Sequence, residues 1–320
     1  TPLGELTDDF NEKILDEWAY LIPQETDRPE EFLPKEKTFY ADRYGGSGLG
    51  YSEGSGRAAG AGLFQIKGIG RTPLVSKVKE TVKPKKLTLF GIFQYIWDRF
   101  VIDNHNHGGA TLREAMAEAV WGEILHKELP YGANRVAFII GTRRSIGLAK
   151  VPQALIVREN SLRPAHYIRN DNRPTGEEKD EETRIKKLIE PFSKLPIIAE
   201  DKSNKLGDRL NLLLKEIFDR VGRKYGTEYA HSFFHGSSSP SNIELTGRAL
   251  DHGPMTALDG FTKALNVDDY PNGDIRVLFE DILEELRADL EEMVPAKYQD
   301  AIPSKLEMAK IVKKAYDLQI

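Results

Sequence analysis

Glycines and short β-prone runs crowd the first half of this 320-residue chain, and the period of amphipathic helices dominates the second. Residues 44–57 (Tyr-Gly-Gly-Ser-Gly-Leu-Gly-Tyr-Ser-Glu-Gly-Ser-Gly-Arg) are dense in glycine. Residues 205–225 place Leu206, Leu210, Leu213, Leu214, Ile217, Phe218 and Val221 on one helical stripe. That asymmetry predicts an α+β fold, a β-rich part followed by a mainly helical one. The split is expected near a charged, solvated stretch at 170–183, giving domains 1–170 and 171–320.

The remaining elements follow from caps and periodicity. A helix is expected over 7–22, capped by Thr7 or Asp8, with Phe10, Ile14, Leu15 and Trp18 as its apolar side. Residues 61–67 alternate as one strand, and the apolar run 87–97 fits either helix or strand. Thr111-Leu-Arg-Glu114 is a capping box opening a helix to about Glu128, with Leu112, Ala115, Met116, Ala119, Val120 and Leu125 expected inside. Residues 135–141 and 153–158 read as strands flanking a basic turn at Arg143-Arg144. Helices over 275–294 (apolar at Ile275, Leu278, Phe279, Ile282, Leu283, Leu286 and Leu290) and 304–318 complete the chain.

Composition removes several function classes. There is no cysteine, which excludes disulfides and thiolate chemistry. A net charge of −5 gives no general attraction to nucleic acid. No apolar run approaches the ~18 residues of a membrane span, so no membrane partner is expected. The expected compartment is the cytoplasm; because the chain opens on Thr1-Pro2, a removed targeting segment remains compatible with it.

The residues that can carry chemistry are individually ambiguous. Clustered glycines such as Gly54 and Gly56 let backbone N–H groups approach phosphate, but such runs also serve as surface loops. No Gly-Lys-Ser/Thr follows them, and they open no helix, so neither a Walker A nor a Rossmann reading fits. Lys67, ending the 61–67 strand, can face water or neutralise nucleotide phosphate while held by a carboxylate. Glu118, on the next helix, is the candidate carboxylate, with an exposed glutamate as the alternative. Arg158 and Arg163, with Arg169 beyond, suit bidentate capture of phosphate, or form a surface basic patch. Asn242 and Asp251 stand nine residues apart in 235–259 with a β-prone run between them. On two arms of a hairpin their oxygens would converge on a hard cation such as Mg²⁺, although either alone is as readily a turn residue. The order of these features along the chain is what a kinase-like site requires: glycine loop, lysine, helix glutamate, arginines, asparagine, aspartate.

In Gly54-Ser-Gly-Arg57, Gln65-Ile-Lys67-Gly-Ile-Gly-Arg-Thr-Pro73, the helix carrying Glu118, Arg158 through Arg163-Pro-Ala-His-Tyr167, and His235-Gly…Asn242…Asp251-His-Gly-Pro254, the chain resembles the selenoprotein O family of pseudokinase-fold protein adenylyltransferases. The resemblance covers about residues 44–259. It implies a two-lobed protein-kinase-like fold and transfer of AMP from ATP, with the nucleotide inverted, to a protein or peptide acceptor. By the same resemblance, Gly54, Gly56, Arg57 and Gly108 contact nucleotide, Lys67 contacts phosphate and pairs with Glu118, and Arg158 and Arg163 grip phosphates. Asn242 and Asp251 hold Mg²⁺ (or Mn²⁺), with Asp251 also at the nucleotide. The chain departs from the family where an aspartate base precedes the metal-binding asparagine: that place is Ser241. It departs again where the family's Asp-Gly-Arg reads His107-Gly108-Gly109. A carboxylate acceptor is already ionised near pH 7 and needs no base, so Ser241 suits acyl-adenylate formation. The alternatives are a kinase-like phosphotransferase or an acid-activating (acyl-adenylate) peptide-modifying enzyme, and a non-catalytic nucleotide-binding scaffold.

Overall fold

The computed structural model describes residues 8–22, 40–41, 57–61, 63–70, 108–146, 150–163, 178–200, 205–235, 242, 244–257 and 283–320. It is a mixed α+β protein whose contacts divide into two compact units. The first gathers the described residues up to 43, within 53–119 and within 135–160; the second gathers those within 120–134 and 161–320. The sequence-based split at 170 treats each part as continuous, whereas residues 120–134 group with the second unit.

In the first unit, helix α1 (Asp8–Trp18) precedes a six-stranded antiparallel sheet. Its strands are β1 (Tyr40–Ala41), β2 (Ala58–Ala61), β3 (Phe64–Lys67), β4 (Ala110–Thr111), β5 (Val136–Ile146) and β6 (Val151–Glu159). The pairing order is β1-β2-β3-β6-β4, with β5 also on β6. The run expected as one strand at 61–67 is two: Ala61 pairs with Phe64, so the chain reverses between them and Leu63 stands 83% exposed. Arg143 and Arg144 lie inside β5 rather than at a turn, because the ladder resumes past a bulge at Ser145↔Pro152 and Ile146↔Val151.

Register decides what each sheet face carries. Opposed residues share a face, and β3 meets β6 as Gln65↔Arg158, Ile66↔Val157 and Lys67↔Ile156. Ile66, Leu155 and Val157 form a core with Ile14 and Trp18 of α1, Trp18 meeting Phe64 edge-on at 5.2 Å. Ala154 and Ile156 pack with Ala115 of helix α2 (Leu112–Glu128). Gln65, Lys67 and Arg158 share that second face with Ile156, and helix α2 lies over it. The Glu114 N–H donates to Thr111 Oγ1 at 3.0 Å, the expected cap. The buried stripe differs from expectation: Ala115, Glu118, Leu125 and Leu129 are inside, whereas Met116 (56% exposed) and Val120 (58%) are outside and Leu112 is largely so. The stripe is set by the sheet face beneath it, which offers cations to a carboxylate and room for alanine.

The second unit is built on helix α5 (Leu206–Ala230), whose Leu210, Leu213, Leu214, Ile217, Phe218 and Val221 are all buried. Helices α3 (Glu178–Ile189), α4 (Pro196–Ala199), α6 (Leu283–Met293) and α7 (Lys305–Asp317) share its core through Leu188, Ile198, Leu286 and Val312. Gly222 and Gly226 let α7 approach closely, since a Cβ at Gly226 would lie 2.6 Å from the Tyr316 carbonyl oxygen. Ser304 caps α7, accepting from the Glu307 N–H at 3.2 Å. The helix expected from 275 is described from Leu283; Ile275, Leu278, Phe279 and Ile282, like the 87–97 run, lie outside the described residues. Among the described residues no helix is long and apolar enough to cross a membrane.

Candidate functional site

The first unit carries a chain of alternating charges around Lys67. This lysine ends β3 buried, only 4% exposed, and forms ion pairs with Glu118 and, at 2.9 Å, with Glu114. Glu118 is 1% exposed and uses its other oxygen to accept from Arg158 Nη1 at 3.0 Å. Arg158 Nε donates to Gln65 Oε1 at 2.8 Å, a bond made available by their cross-strand register. At the other end Glu114 takes Arg57 in a two-pronged pair at 2.9 and 3.1 Å. Arg57 Nη1 also donates to the Gly109 carbonyl at 3.1 Å. The order is Arg57, Glu114, Lys67, Glu118, Arg158. The two glutamates are one helical turn apart and so face the same way.

Backbone contacts fix the two ends. Gly68 (φ 92°) follows Lys67 and donates its N–H to the Arg57 carbonyl at 2.7 Å. A Cβ there would lie 2.7 Å from the Ala154 carbonyl oxygen, so both the left-handed backbone and the close passage require glycine. Gly108 is buried with φ 69°, and its carbonyl accepts from the Gly70 N–H at 3.0 Å. Burial alone would raise the Glu114 carboxyl, but the charges of Lys67 and Arg57 and their hydrogen bonds outweigh it and hold the group at about 2. Glu114 therefore stays ionised as the second counter-ion of Lys67.

The second unit holds the Asn242–Asp251 segment. Its closing ladder lies outside both residues: β7 (Phe233–Phe234) pairs antiparallel with β8 (Thr256–Ala257). The hairpin expected to carry Asn242 and Asp251 on opposite arms is thus not the arrangement; among the described residues, 244–250 are turns and an isolated parallel bridge of Ala249 to Ala133. The run between the two has other obligations. Glu244 is buried and accepts from Thr246 Oγ1, from Arg248 at 3.2 Å and from the Leu162 N–H at 3.4 Å. Arg220 of α5 donates to the Thr246 carbonyl at 2.8 Å and stacks over the Tyr131 ring at 4.4 Å. The Leu245 N–H donates to the Leu162 carbonyl at 2.9 Å, which fastens the stretch containing Arg163 beside this segment. Arg163 is fully buried, its Nε donating to Ser161 Oγ at 3.5 Å.

Asn242 and Asp251 are both half-buried, and Asp251 has φ 57°. Left-handed backbone costs a non-glycine residue on the order of 1 kcal/mol, least for Asn and Asp. Among the described residues no three His, Cys, Asp or Glu side chains gather to hold a metal. Asn242 and Asp251 supply one amide oxygen and one carboxylate, donor types that Mg²⁺ takes alongside water and phosphate. Gly54, Gly56 and Ser241 lie outside the described residues, as does Arg169.

The structure brings Lys67, Glu118, Arg158 and Arg57 into one cluster, and places Arg163 with the Asn242–Asp251 segment. Glu114 and Gln65 escaped the sequence reading as site residues. Signals for both were present: Glu114 precedes Glu118 by four on one helix, and Gln65 precedes Lys67 by two on one strand, so each pair shares a face. Compared with known proteins, the chain matches no family model and no curated protein.

Proposed function

We propose that this chain is an ATP- and Mg²⁺-dependent adenylyltransferase with a protein-kinase-like two-lobed fold, transferring AMP to a protein or peptide acceptor. What carries the reading is the buried Arg57–Glu114–Lys67–Glu118–Arg158 chain. An ammonium held between two carboxylates and flanked by two guanidiniums is pre-organised for polyphosphate, and fixed cations are what phosphoryl-group chemistry chiefly needs. The likeness of its motifs to the selenoprotein O family points the same way.

In the reaction an acceptor oxygen bonds to the α-phosphorus, and the bond from that phosphorus to the bridging oxygen breaks. Pyrophosphate leaves with the electron pair. In the first unit Lys67, kept in place by Glu118, would contact phosphate oxygens, with the positive charges of Arg57 and Arg158 beside it. The glycines Gly54, Gly56 and Gly108 would serve the nucleotide through their backbone. In the second unit Asn242 and Asp251 would hold Mg²⁺ or Mn²⁺, whose chemistry there is to neutralise charge on the phosphate oxygens. Arg163 would add a guanidinium to that segment. Ser241 replaces a carboxylate base, so an acceptor that is already ionised, a carboxylate, suits the site best.

ATP labelled at the α- or the γ-phosphate separates the possibilities. Label retained on an acceptor from the α position alone, lost in Lys67→Met, supports adenylylation, and its release by hydroxylamine marks an acyl-adenylate. Transfer from the γ position makes the chain a phosphotransferase instead. Binding of ATP with Mg²⁺ but transfer of neither label leaves the nucleotide-binding scaffold.

A further inference from the structure

Two buried histidines bracket Asp251. His235 Nε2 lies 2.7 Å from the Leu250 carbonyl oxygen, and His252 Nε2 lies 2.9 Å from the Asn134 carbonyl oxygen. Both rings are fully enclosed. A carbonyl only accepts, so each Nε2 carries the hydrogen and donates. The same stretch is tied twice more: the Asn134 N–H donates to the Ala249 carbonyl at 2.9 Å, and the Ala249 N–H to the Gly132 carbonyl at 3.1 Å. The Met255 N–H then closes a turn on the His252 carbonyl at 3.0 Å. One residue in this frame, Asp251, sits in left-handed backbone at φ 57°. Its preceding carbonyl is gripped by His235, and its following side chain is gripped at Asn134.

We propose that His235 and His252 are positioning residues for Asp251: the His235 Nε2–H clamps the preceding peptide at the Leu250 carbonyl, the His252 Nε2–H anchors the following residue to the Asn134 carbonyl, and together they hold the left-handed turn and so aim the carboxylate at the cation. The inference rests on the metal reading of Asn242 and Asp251. Neither histidine is a ligand in it; both act through the backbone. Partners that orient a metal ligand change affinity about 10–100-fold when removed, whereas a purely space-filling histidine would be replaceable by an apolar ring of similar size.

The test uses Mn²⁺ as probe, its free concentration followed by electron paramagnetic resonance in the presence of a non-hydrolysable ATP analogue, with thermal unfolding measured in parallel. His235→Phe and His252→Phe are expected to weaken Mn²⁺ binding about tenfold or more. His252→Gln, which retains an N–H donor, is expected to recover most of that loss. Phenylalanine variants that fold and bind Mn²⁺ as tightly as the wild type overturn the proposal. Should they not fold, ¹⁵N spectra of the histidine-labelled wild type decide: an Nδ1–H tautomer at either ring removes the donation and the proposal. Asp251→Asn separates the two levels. If it leaves Mn²⁺ affinity unchanged, the metal reading fails and takes this inference with it; if it abolishes binding while the phenylalanine variants do not, only the clamp is wrong.

Discussion

Replacing Glu118 by glutamine tests the Lys67 cluster through stability, independently of any ligand. The carboxylate bridges Lys67 and Arg158 with side-chain exposures of 1%, 5% and 5%, so its charge is compensated by protein groups and little by water. Removing one partner of a buried ion pair typically costs about 3–5 kcal/mol, because a charge is left in a poor dielectric. Here Lys67 retains Glu114 at 2.9 Å and Arg158 retains Gln65 at 2.8 Å, which places Glu118→Gln at the lower end, about 3 kcal/mol. Native-state hydrogen exchange reads this locally. The opening free energy of β3 and β6 amides should fall by about that amount, while α5 amides, in the other unit, hold their protection. Glu118→Leu should be partly rescued by adding Lys67→Met, with a coupling on the order of 1 kcal/mol, since the second change removes an ammonium that has lost one of its two counter-ions. If Glu118→Gln shifts β3 and β6 protection by less than about 0.5 kcal/mol, within the range of an ordinary surface substitution, Glu118 is not the buried counter-ion described.

Two further outcomes follow from the same structure. Glu114, held at about 2 in the folded state against an ordinary 4.5, contributes stability that is present in full above about pH 4.5 and is lost as pH falls towards 2. The difference between wild type and Glu114→Gln, of order 3 kcal/mol at pH 6, should therefore shrink steadily in urea titrations at pH 4 and pH 3; a difference independent of pH would contradict the pairing. Gly226→Ala drives a methyl against the Tyr316 carbonyl across the α5–α7 contact and should cost about 1–3 kcal/mol by overpacking despite alanine's better helix propensity. Stabilisation in denaturant unfolding would show that the two helices can part without penalty.

What the sequence made legible were the elements whose own pattern decides them. Helix α5 covers the predicted 205–225 because one apolar stripe runs from Leu210 to Val221, and it continues to Ala230 with a buried face that turns polar at Lys224, Thr227 and Glu228. Thr111 caps the helix it was expected to cap, and Ser304 caps the helix expected from 304, since a side-chain oxygen three residues from an orphan N–H is a local matter. Features set by distant partners were misread. Hydropathy places Met116 and Val120 inside, yet the face turned inward is the one holding Glu118, chosen by Lys67 and Arg158 from across the sheet. The local pattern makes Glu114 half of a capping box; its side chain instead serves Arg57, 57 residues earlier in the chain. Arg143-Arg144 looked like a turn because of charge, but an irregular ladder on β6 carries the strand through it. Around Asp251 the order of residues suggested a hairpin, whereas the backbone there answers to His235 and Asn134.

Isothermal titration of ATP in the presence of Mg²⁺, into wild type and Lys67→Met, bears most directly on the assignment of the cluster. Wild type should bind, and Lys67→Met should lose at least about tenfold in affinity, which corresponds to roughly 1.4 kcal/mol, while hydrogen exchange shows the sheet still folded. ATP binding of equal affinity in both proteins would place the phosphates elsewhere and contradict the assignment.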